Sequence, residues 1–528
     1  MQRIILLIAI CIYFTNVTAQ QTATVITYPL PGIYNESGLF SLRVCGKNIP
    51  VVSYTDKYDY VHFSVTEGLA EIVITVLGKT QIKICSISPL KENIQAALKN
   101  NTATFAIKKH GYFIIKIDSL KELVIAADEE EKDKPSSYGQ GVFNISEPPY
   151  NVKTNNSATV TTAVQKAIDD AAVYVGNSAI VYIPAGVYPI GNLILKSNVS
   201  LYLEGGAVLL FTGKRKDYAV NAYKKSQKRD ITWWLSTPSG TQHCKIYGRG
   251  TLDGNGKYST EQNNLGNNIL LFMNNSDVIV DGIIIKNSGA WAVLPVRSDN
   301  VILKNLKLFN RFDMGENDGI DVIESQNVIV EHAIGIALDD PFSAKTWTAT
   351  TDIAVNWPGK PEPQNNILFK DLISWTYCYG YKIGQGIAQP QTNIQFKNCV
   401  VYDAAVGIGI HHKWGTSFVS DVIFDDIDIE QLHYQNDDHR TWCVLLVQKK
   451  EYSPTSTINN ISIKNVLIRD AGISPGKIKG AVTGGINNVK FENIKMPGKT
   501  YPALTLQEMH ITDTVNCKAI TVLQSPGF

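Results

Sequence analysis

The chain has 528 residues, enough for two or three domains of ordinary size. Its 49 lysines and arginines balance 48 aspartates and glutamates, which leaves a formal net charge of +1. A nearly neutral chain has no long-range field that would attract nucleic acid or an anionic membrane, so the composition argues against both partners.

The first 19 residues have the three parts of a secretory signal peptide. Arg3 supplies the positive charge, residues 4–14 form the apolar stretch, and Val17-Thr18-Ala19 is a small-residue cleavage site. The apolar stretch is too short to span a bilayer stably. We therefore expect a signal peptide over residues 1–19 and a secreted or periplasmic protein without membrane insertion.

The cysteines do not follow a metal-binding or disulfide-rich pattern. Seven of the eight lie beyond the signal peptide, are widely spaced and form no CxxC pair. This argues against a zinc site and against a dense disulfide framework, although a Cys45–Cys85 bridge stays open.

Residues 20–138 are predicted to form an antiparallel β-sandwich. Apolar and polar residues alternate with a period of two over 61–65, 70–76 and 112–117, and these short runs are separated by Gly, Asn and Lys turns. Residues 128–138 form a charged connector that contains a proline. We place the end of the first domain there and assign residues 139–528 to a second domain.

The second domain begins with an amphipathic helix and continues as a repeat. Val160, Val164, Ala167, Ile168 and Ala171 share one helical face, and this helix would cap the first coil of a solenoid. A pattern of Asn or Asp, a β-branched residue, any residue and an apolar residue then starts at Asp277, Asn300, Asn327, Asn366, Asn393, Asp421, Asn460 and Asn488.

The repeat spacing predicts an all-β chain with a right-handed parallel β-helix. The intervals between successive starts are, by subtraction, 23, 27, 39, 27, 28, 39 and 28 residues. One coil of a β-helix takes roughly 22–28 residues, and coils stack at the ordinary strand spacing. The Asn or Asp at each start suits a left-handed turn and could form a ladder from coil to coil.

The two long intervals each contain an insertion of about a dozen residues, and insertions in a solenoid form loops on its surface. The first insertion includes Trp347 and Trp357, and the second includes His433, Tyr434 and Trp442. Aromatic and polar loops of this kind would suit the walls of a carbohydrate-binding cleft, while ordinary surface loops remain the alternative.

Three aspartates in neighbouring coils are the candidate catalytic residues. Asp318 and Asp339 are 21 residues apart, close to one coil, and Asp340 adds a third carboxylate. Acids stacked at strand spacing repel one another, so their convergence points to function, either cation binding or hydrolysis of a glycosidic bond. In inverting hydrolysis, one carboxylic acid protonates the leaving oxygen and a carboxylate activates water from the opposite side.

The chain resembles the polygalacturonases of glycoside hydrolase family 28. The resemblance rests on residues 161–168, 183–188, 201–208 and 247–254, together with Asn317-Asp-Gly-Ile-Asp321 and Asp339-Asp340. It implies that Asp339 is the general acid and that Asp318 and Asp340 position and deprotonate the water. It implies no cofactor and no metal.

Two departures from that family bear on the substrate. Tyr379 stands where the family has the histidine of a Gly-His-Gly segment, and Gly409-Ile-His411 replaces an Arg-Ile-Lys segment that binds a uronate carboxylate. Losing an Arg and a Lys argues against a galacturonan, although His411 and Lys382 could partly compensate.

The layout of a sandwich followed by a β-helix with an Asp and an Asp-Asp pair is also similar to glycoside hydrolase family 49, which includes dextranases and isopullulanases. We favour this second resemblance, which implies an inverting hydrolase of a neutral α-linked glucan, with dextran as the first substrate to test. A polygalacturonase-type hydrolase of pectic or other galactose-derived glycans, a polysaccharide lyase and a non-catalytic carbohydrate-binding β-helix are the alternatives.

The candidate substrate-binding residues lie one and two coils beyond the acids or in the first insertion. They are Tyr379, Tyr381, Lys382, His411, His412, Trp347 and Trp357. The partner that we expect is a polysaccharide or oligosaccharide. The sequence leaves open the sugar and linkage, endo or exo action, the role of the first domain and the oligomeric state.

Overall fold

The structure is a computed structural model that describes residues 21–154, 158–176, 179–435, 438–448, 456–482 and 485–523. The predicted signal peptide, residues 1–19, lies outside the described residues. In the described part of the chain, no helix is both long and apolar enough to cross a membrane. Cys45 and Cys85 are free thiols and do not form the candidate bridge.

Residues 21–129 form two facing sheets that enclose a core of their own. In the described residues the first sheet has six strands, Val25–Thr27, Val51–Val52, Tyr58–Val65, Cys85–Ser88, Gly111–Ile117 and Glu122–Glu129. The second has five strands, Phe40–Val44, Lys47–Ile49, Ala70–Val76, Ala97–Lys99 and Thr102–Ile107. The named strands pair in antiparallel fashion except Glu122–Glu129 and Tyr58–Val65, which run parallel. The predicted boundary at residue 138 falls after the last of these strands.

The described residues between Val142 and Leu523 form a parallel solenoid, as predicted, with two long sheets along its length. Among the described residues the longer sheet has 18 strands, Val142–Asn144, Ala179–Ile183, Gly186–Ile190, Val199–Leu203, Ala207–Phe211, Gln242–Gly248, Thr251–Asp253, Ser276–Asp281, Ile284–Lys286, Asp299–Lys304, Lys307–Phe309, Gln326–Ala337, Gln364–Thr376, Gln391–Asp403, Val419–Ile429, Ile458–Ile468, Ile486–Lys495 and Cys517–Leu523. This stacking of parallel strands confirms the right-handed β-helix prediction.

The second solenoid sheet carries the candidate site. Within the described residues it has 12 strands, Leu193–Ile194, Ala222–Lys224, Arg229–Ser236, Leu265–Met273, Val293–Val296, Ile320–Ile323, Phe342–Thr346, Tyr379–Ile387, Val406–Trp414, Thr441–Val447, Gly476–Lys479 and Ile511–Val515. Side chains alternate between the solenoid core and the outer face, which is the period-two geometry of a strand.

The predicted amphipathic helix closes one end of the solenoid. It spans Thr161–Ala172 and buries Val164, Ala167, Ile168 and Ala171 against the first coils. The other helical segments of the described residues are Gly256–Asn263 and the 3-10 turns Leu90–Glu92 and Arg215–Asp217.

The repeated Asn and Asp residues have the backbone conformation that the sequence predicts. All eight repeat starts have a positive φ, between 51° at Asn327 and 59° at Asn366 and Asp421. Most of their side chains bond from one coil to the next, for example Asn366 Nδ2 to Asn327 Oδ1 at 2.6 Å. We call this row of bonded side chains the asparagine ladder. It pins the same corner of successive coils.

The sandwich packs along the outer face of the 18-stranded sheet. A shared apolar cluster includes Tyr58 and Tyr60 from the sandwich, and Phe309, Phe312 and Trp375 from the solenoid. Tyr58 and Tyr60 are 0% and 2% exposed, so the contact excludes water. The two parts of the chain therefore share a buried interface next to the coils that carry the three aspartates.

Candidate functional site

The acids converge because the strands of neighbouring coils are in register. Asp321 lies opposite Ser343, and Ser343 lies opposite Lys382, in three adjacent strands of the 12-stranded sheet. Residues flanking these three point into the solenoid core, including Val322 and Ala344. Side chains of opposite parity therefore form an outward-facing row, and the turns just before two of these strands supply the three aspartates.

Asp318, Asp339 and Asp340 line one open cleft of about 760 Å³. Backbone bonds hold the two turns together, since the amide of Gly319 donates to the carbonyl of Asp340 at 3.0 Å. Asp318 and Asp340 are both 2% exposed, whereas Asp339 is half-buried. The structure thus brings together the three acids that the 21-residue spacing placed on one face.

Two buried lysines neutralise the acid cluster. The Nζ atom of Lys345 contacts Asp318 and lies 2.9 Å from Asp321 and 3.8 Å from Asp340. The Nζ atom of Lys382 donates to both carboxylate oxygens of Asp340, at 2.9 and 3.2 Å. Three carboxyl groups, those of Asp318, Asp321 and Asp340, thus share two ammonium groups.

This environment shifts the pKa values of the three acids in different directions. Burial and the neighbouring Asp340 raise the pKa of Asp339 above its ordinary value. Burial and Asp321 raise the pKa of Asp318 as well. Burial also opposes ionisation of Asp340, but Lys382 and Lys345 outweigh it and lower the pKa of that carboxyl. Adjacent carboxyls with opposite shifts are the arrangement that an acid and a base require.

The ligand atoms of Asp339, Asp340 and Cys378 lie within 4.8 Å of one another, close enough to share a cation. The ammonium of Lys382, however, already lies 2.9 Å from Asp340. A resident lysine therefore supplies the positive charge that a metal would bring to this carboxylate.

Aromatic and basic side chains form the walls of the cleft. Trp347, which the sequence indicated, lines it together with Trp291, and their rings stack at 6.2 Å with an interplanar angle of 24°. The ammonium groups of Lys345 and Lys224 lie 4.5 and 4.3 Å from the Trp291 ring. The remaining lining residues are Ser226, Glu316, Gln385, Lys413 and Trp414. Flat aromatic walls with charged rims suit a sugar polymer that bears charge.

Lys382, which we predicted to bind substrate, also lines the cleft. Its ammonium group is paired with Asp340 and is therefore not free to bind substrate. Trp357 lies in an adjacent cavity of about 360 Å³, whose lining includes Lys224, Trp291 and Glu316 from the cleft wall. That cavity continues the cleft towards the first insertion.

The prediction that Tyr381 binds substrate is wrong. Its ring lies in the solenoid core, and its hydroxyl donates to the backbone carbonyls of Leu372 and Val400, both at 2.8 Å. In the described structure the cleft lining also leaves out Tyr379, His411 and His412, which are at most 3% exposed.

The hydrogen bonds of these three residues go to other protein groups. The Tyr379 hydroxyl donates to Asp438. His411 contacts Asp438 at 3.2 Å and Gln448 at 2.7 Å. His412 Nε2 lies 3.1 Å from the carbonyl oxygen of Gly415. They therefore support the cleft from behind its wall.

Several site residues were missed in the sequence. Lys345 could have been found, because it follows Phe342-Ser-Ala in a strand and has the outward parity of Ser343. Asp321, which we did not count as catalytic, shares the same outward row. The repeat does not determine which way a side chain points in turns and at strand ends, which is where Trp291, Lys224 and Lys413 lie.

Comparisons with known proteins identify the family of the chain. The model of glycosyl hydrolases family 28 matches residues 177–466, more than half of the chain. An exo-poly-alpha-D-galacturonosidase of Dickeya chrysanthemi is 30% identical over 342 residues, 54% of each chain. A probable polygalacturonase of Vitis vinifera is 24% identical over 277 residues, 50% of this chain and 56% of its own. The chain thus spans about half the length of these curated relatives.

Two solved structures share the fold at low identity. The family 28 exopolygalacturonase of Yersinia enterocolitica is 14% identical with a TM-score of 0.51 and covers 90% of this chain and 99% of its own. Dex49A from Penicillium minioluteum is 12% identical with a TM-score of 0.55 and covers 94% and 96%. Our expectation of a family 49 enzyme is thus supported only by similarity of fold. The family 28 model, in contrast, covers the residues of the acid cluster. The chain belongs to glycosyl hydrolases family 28.

Proposed function

We propose that this hydrolase cleaves a galacturonate-containing, pectic polysaccharide with inversion at the anomeric carbon. The observation that carries the proposal is the cleft itself, in which a carboxyl pair with opposite pKa shifts lies beside tryptophan walls and lysine side chains. The names of the curated relatives, an exo-poly-alpha-D-galacturonosidase and a probable polygalacturonase, favour the same substrate class.

The proposed reaction assigns each proton. Asp339, whose pKa is raised by burial, donates its carboxyl proton to the glycosidic oxygen as the bond from that oxygen to the anomeric carbon breaks. Water adds to the carbon from the opposite face and gives a proton to the Asp340 carboxylate, which Lys382 keeps ionised. Asp318 orients the water, held in place by Lys345.

Recognition of the uronate carboxylate is assigned to Lys413. The Arg-Ile-Lys segment of the family is replaced by Gly409-Ile-His411, and His411 is engaged with Asp438 and Gln448. Lys413 lines the cleft two residues further along the same strand, and no carboxylate of the described residues forms an ion pair with it. An unpaired ammonium on the wall of the cleft can bind a carboxylate that passes through.

The proposal is tested by screening the purified protein against polygalacturonate, methyl-esterified pectin, dextran and pullulan with a reducing-end assay. We expect polygalacturonate to be the best substrate, and NMR of the first-formed anomer to show inversion. Cleavage of dextran or pullulan with polygalacturonate left intact would replace the pectic substrate by a neutral glucan.

Lys413→Met should lower kcat/KM on polygalacturonate about tenfold, the loss of one charge-assisted contact. The exposed Lys370 on the other solenoid sheet supplies the control variant, Lys370→Met, which should match the wild type. Equal effects of the two substitutions would remove Lys413 from substrate recognition.

A further inference from the structure

We infer that the N-terminal sandwich is part of the catalytic apparatus, and that the Tyr58 hydroxyl is a positioning group for Asp318 and Asp339. The inference rests on the hydrolase activity proposed above and concerns the region whose role the sequence left open. It follows from an unbroken series of hydrogen bonds that begins in the sandwich and ends at the acid cluster.

The first bond crosses the interface between the two parts of the chain. The Tyr58 hydroxyl donates to the carbonyl of Asn310 at 2.7 Å, and both residues are fully buried. The neighbouring Tyr54 hydroxyl donates to the carbonyl of Phe309 at 2.9 Å. The sandwich thus holds the chain at the point where the strand Lys307–Phe309 ends and the turn leading to Asp318 begins.

The second step spans that turn. The Asn310 side chain donates to the carbonyl of Asn317 at 2.8 Å, while its oxygen accepts from the amide of Ser288 at 2.9 Å. The Asn317 side chain in turn donates to the carbonyl of Arg311 at 2.6 Å. The turn of residues 310–317 is therefore closed by two buried amide side chains, and Asp318 follows it directly.

The last step reaches the general acid. Asn317 Oδ1 accepts from the amides of Leu338 and Asp339, at 3.0 and 3.3 Å. Thr376, next to the interface residue Trp375, donates to the carbonyl of Asp339 at 2.6 Å. Backbone atoms on both sides of Asp339 are therefore fixed by groups that trace back to the buried interface.

Aromatic contacts run beside the hydrogen bonds. The Tyr58 ring lies 5.7 Å from Trp375 and 6.4 Å from Phe312, and Phe312 stacks on Tyr377 at 4.7 Å. A catalytic carboxyl that is misplaced by about 1 Å loses orders of magnitude in rate. A rigid, dry support behind the cleft is therefore a catalytic requirement that the solenoid meets by using the sandwich.

The test compares Tyr58→Phe with Tyr60→Phe. Both residues lie in the strand Tyr58–Val65 at the same interface, and each hydroxyl bonds to a solenoid group, but the Tyr60 hydroxyl pairs with Lys286 at 3.2 Å, outside the series. Each variant keeps the ring and loses one hydroxyl. We expect Tyr58→Phe to lower kcat about tenfold with KM within twofold of the wild type, and Tyr60→Phe to leave both within twofold.

A second measurement does not depend on any substrate. Hydrogen–deuterium exchange of peptides covering 310–319 and 336–340 should be about fivefold faster in Tyr58→Phe and unchanged in Tyr60→Phe, because only the first loses a bond to the turn. If the wild type cleaves no polysaccharide, the proposed function fails. The exchange rates still show whether the Tyr58 hydroxyl supports the turn that leads to Asp318.

Two results would overturn the inference. One is unchanged exchange of both peptides in Tyr58→Phe. The other is faster exchange with an unchanged kcat, since the support would then exist without serving catalysis. A double-mutant cycle with Asn310→Ala adds a check, because two residues of one series should have effects on kcat that are not multiplicative.

Discussion

Removing the ammonium group of Lys382 should shift the pH optimum of the enzyme upward. Its Nζ atom lies 2.9 Å from the nearer oxygen of Asp340, and the side chain is 1% exposed. At an effective dielectric constant of about 20, two unit charges at this distance attract by about 6 kcal/mol. At about 1.36 kcal/mol for each pKa unit, this sets an upper limit of about 4 units.

A smaller shift is expected in practice, because an opposite charge at such a distance changes measured pKa values by about 1–3 units. Lys382 lowers the pKa of both Asp340 and Asp339, so its loss raises both. In Lys382→Met both limbs of the plot of kcat against pH should therefore move up by about 1–3 units. Lys382→Arg keeps the charge and should keep the limbs in place. Limbs of Lys382→Met that stay within about 0.3 unit of the wild type would refute the assigned role of this ion pair.

The same substitution has a consequence for stability that needs no substrate. In the wild type, the lowered pKa of Asp340 contributes stability that is present above the unfolded value, about 3.9, and is lost as the pH falls through the folded value. Without Lys382, burial raises the folded pKa above the unfolded one, so the folded state binds the extra proton. The deficit in Tm of Lys382→Met against the wild type should therefore shrink as the pH is lowered from 7 to 5. A deficit that stays constant would contradict this linkage.

Three further substitutions test single features of the structure. Asp339→Asn should lower kcat by about 10²–10⁴-fold while calorimetry still detects binding of an oligosaccharide substrate, and full activity would remove Asp339 as the acid. Tyr381→Phe should leave kcat and KM unchanged but lower the free energy of unfolding by about 1–2 kcal/mol in urea titrations, because its hydroxyl satisfies two buried carbonyls. A raised KM would instead return Tyr381 to substrate binding. Arg297→Met should lower the free energy of unfolding by about 3–5 kcal/mol, since it leaves buried Glu324, 2.6 Å from the Arg297 Nε atom, without its cationic partner. It should also make residues 347–360 sensitive to protease, because Arg297 donates to carbonyls of that loop; an unchanged cleavage pattern would show that the loop is held by other contacts.

The solenoid could be predicted because its signals are local and repeated. An Asn or Asp that starts each coil adopts a positive φ whatever its distant neighbours are, so eight copies of one pattern define the coils. The convergence of Asp318 with Asp339 and Asp340 followed from the length of one coil alone. Such inferences need only the spacing of residues along the chain.

Features that depend on register or on distant contacts could not be predicted in the same way. Tyr381 and Lys382 are adjacent, yet one points into the core and the other into the cleft, and a one-residue change of register would exchange them. The bond from Tyr58 to Asn310 joins residues 252 positions apart. No local pattern marks such a pair, so the contribution of the sandwich became visible only in the structure.

The hydrogen bonds of the asparagine ladder have a direction, and this divides the ladder into two parts. The side-chain amide of the later coil donates to the earlier one, as from Asn460 to Asp421 at 3.1 Å. An ionised carboxylate cannot donate, so Asp421 accepts from the coil after it but passes no such bond back towards Asn393. A second row of side-chain hydrogen bonds begins in the same strand, where Asn465 donates to Asp425 at 2.8 Å. The strand Val419–Ile429 is thus a seam, and coils beyond it are expected to detach as one unit when the protein is pulled or heated from its C-terminal end.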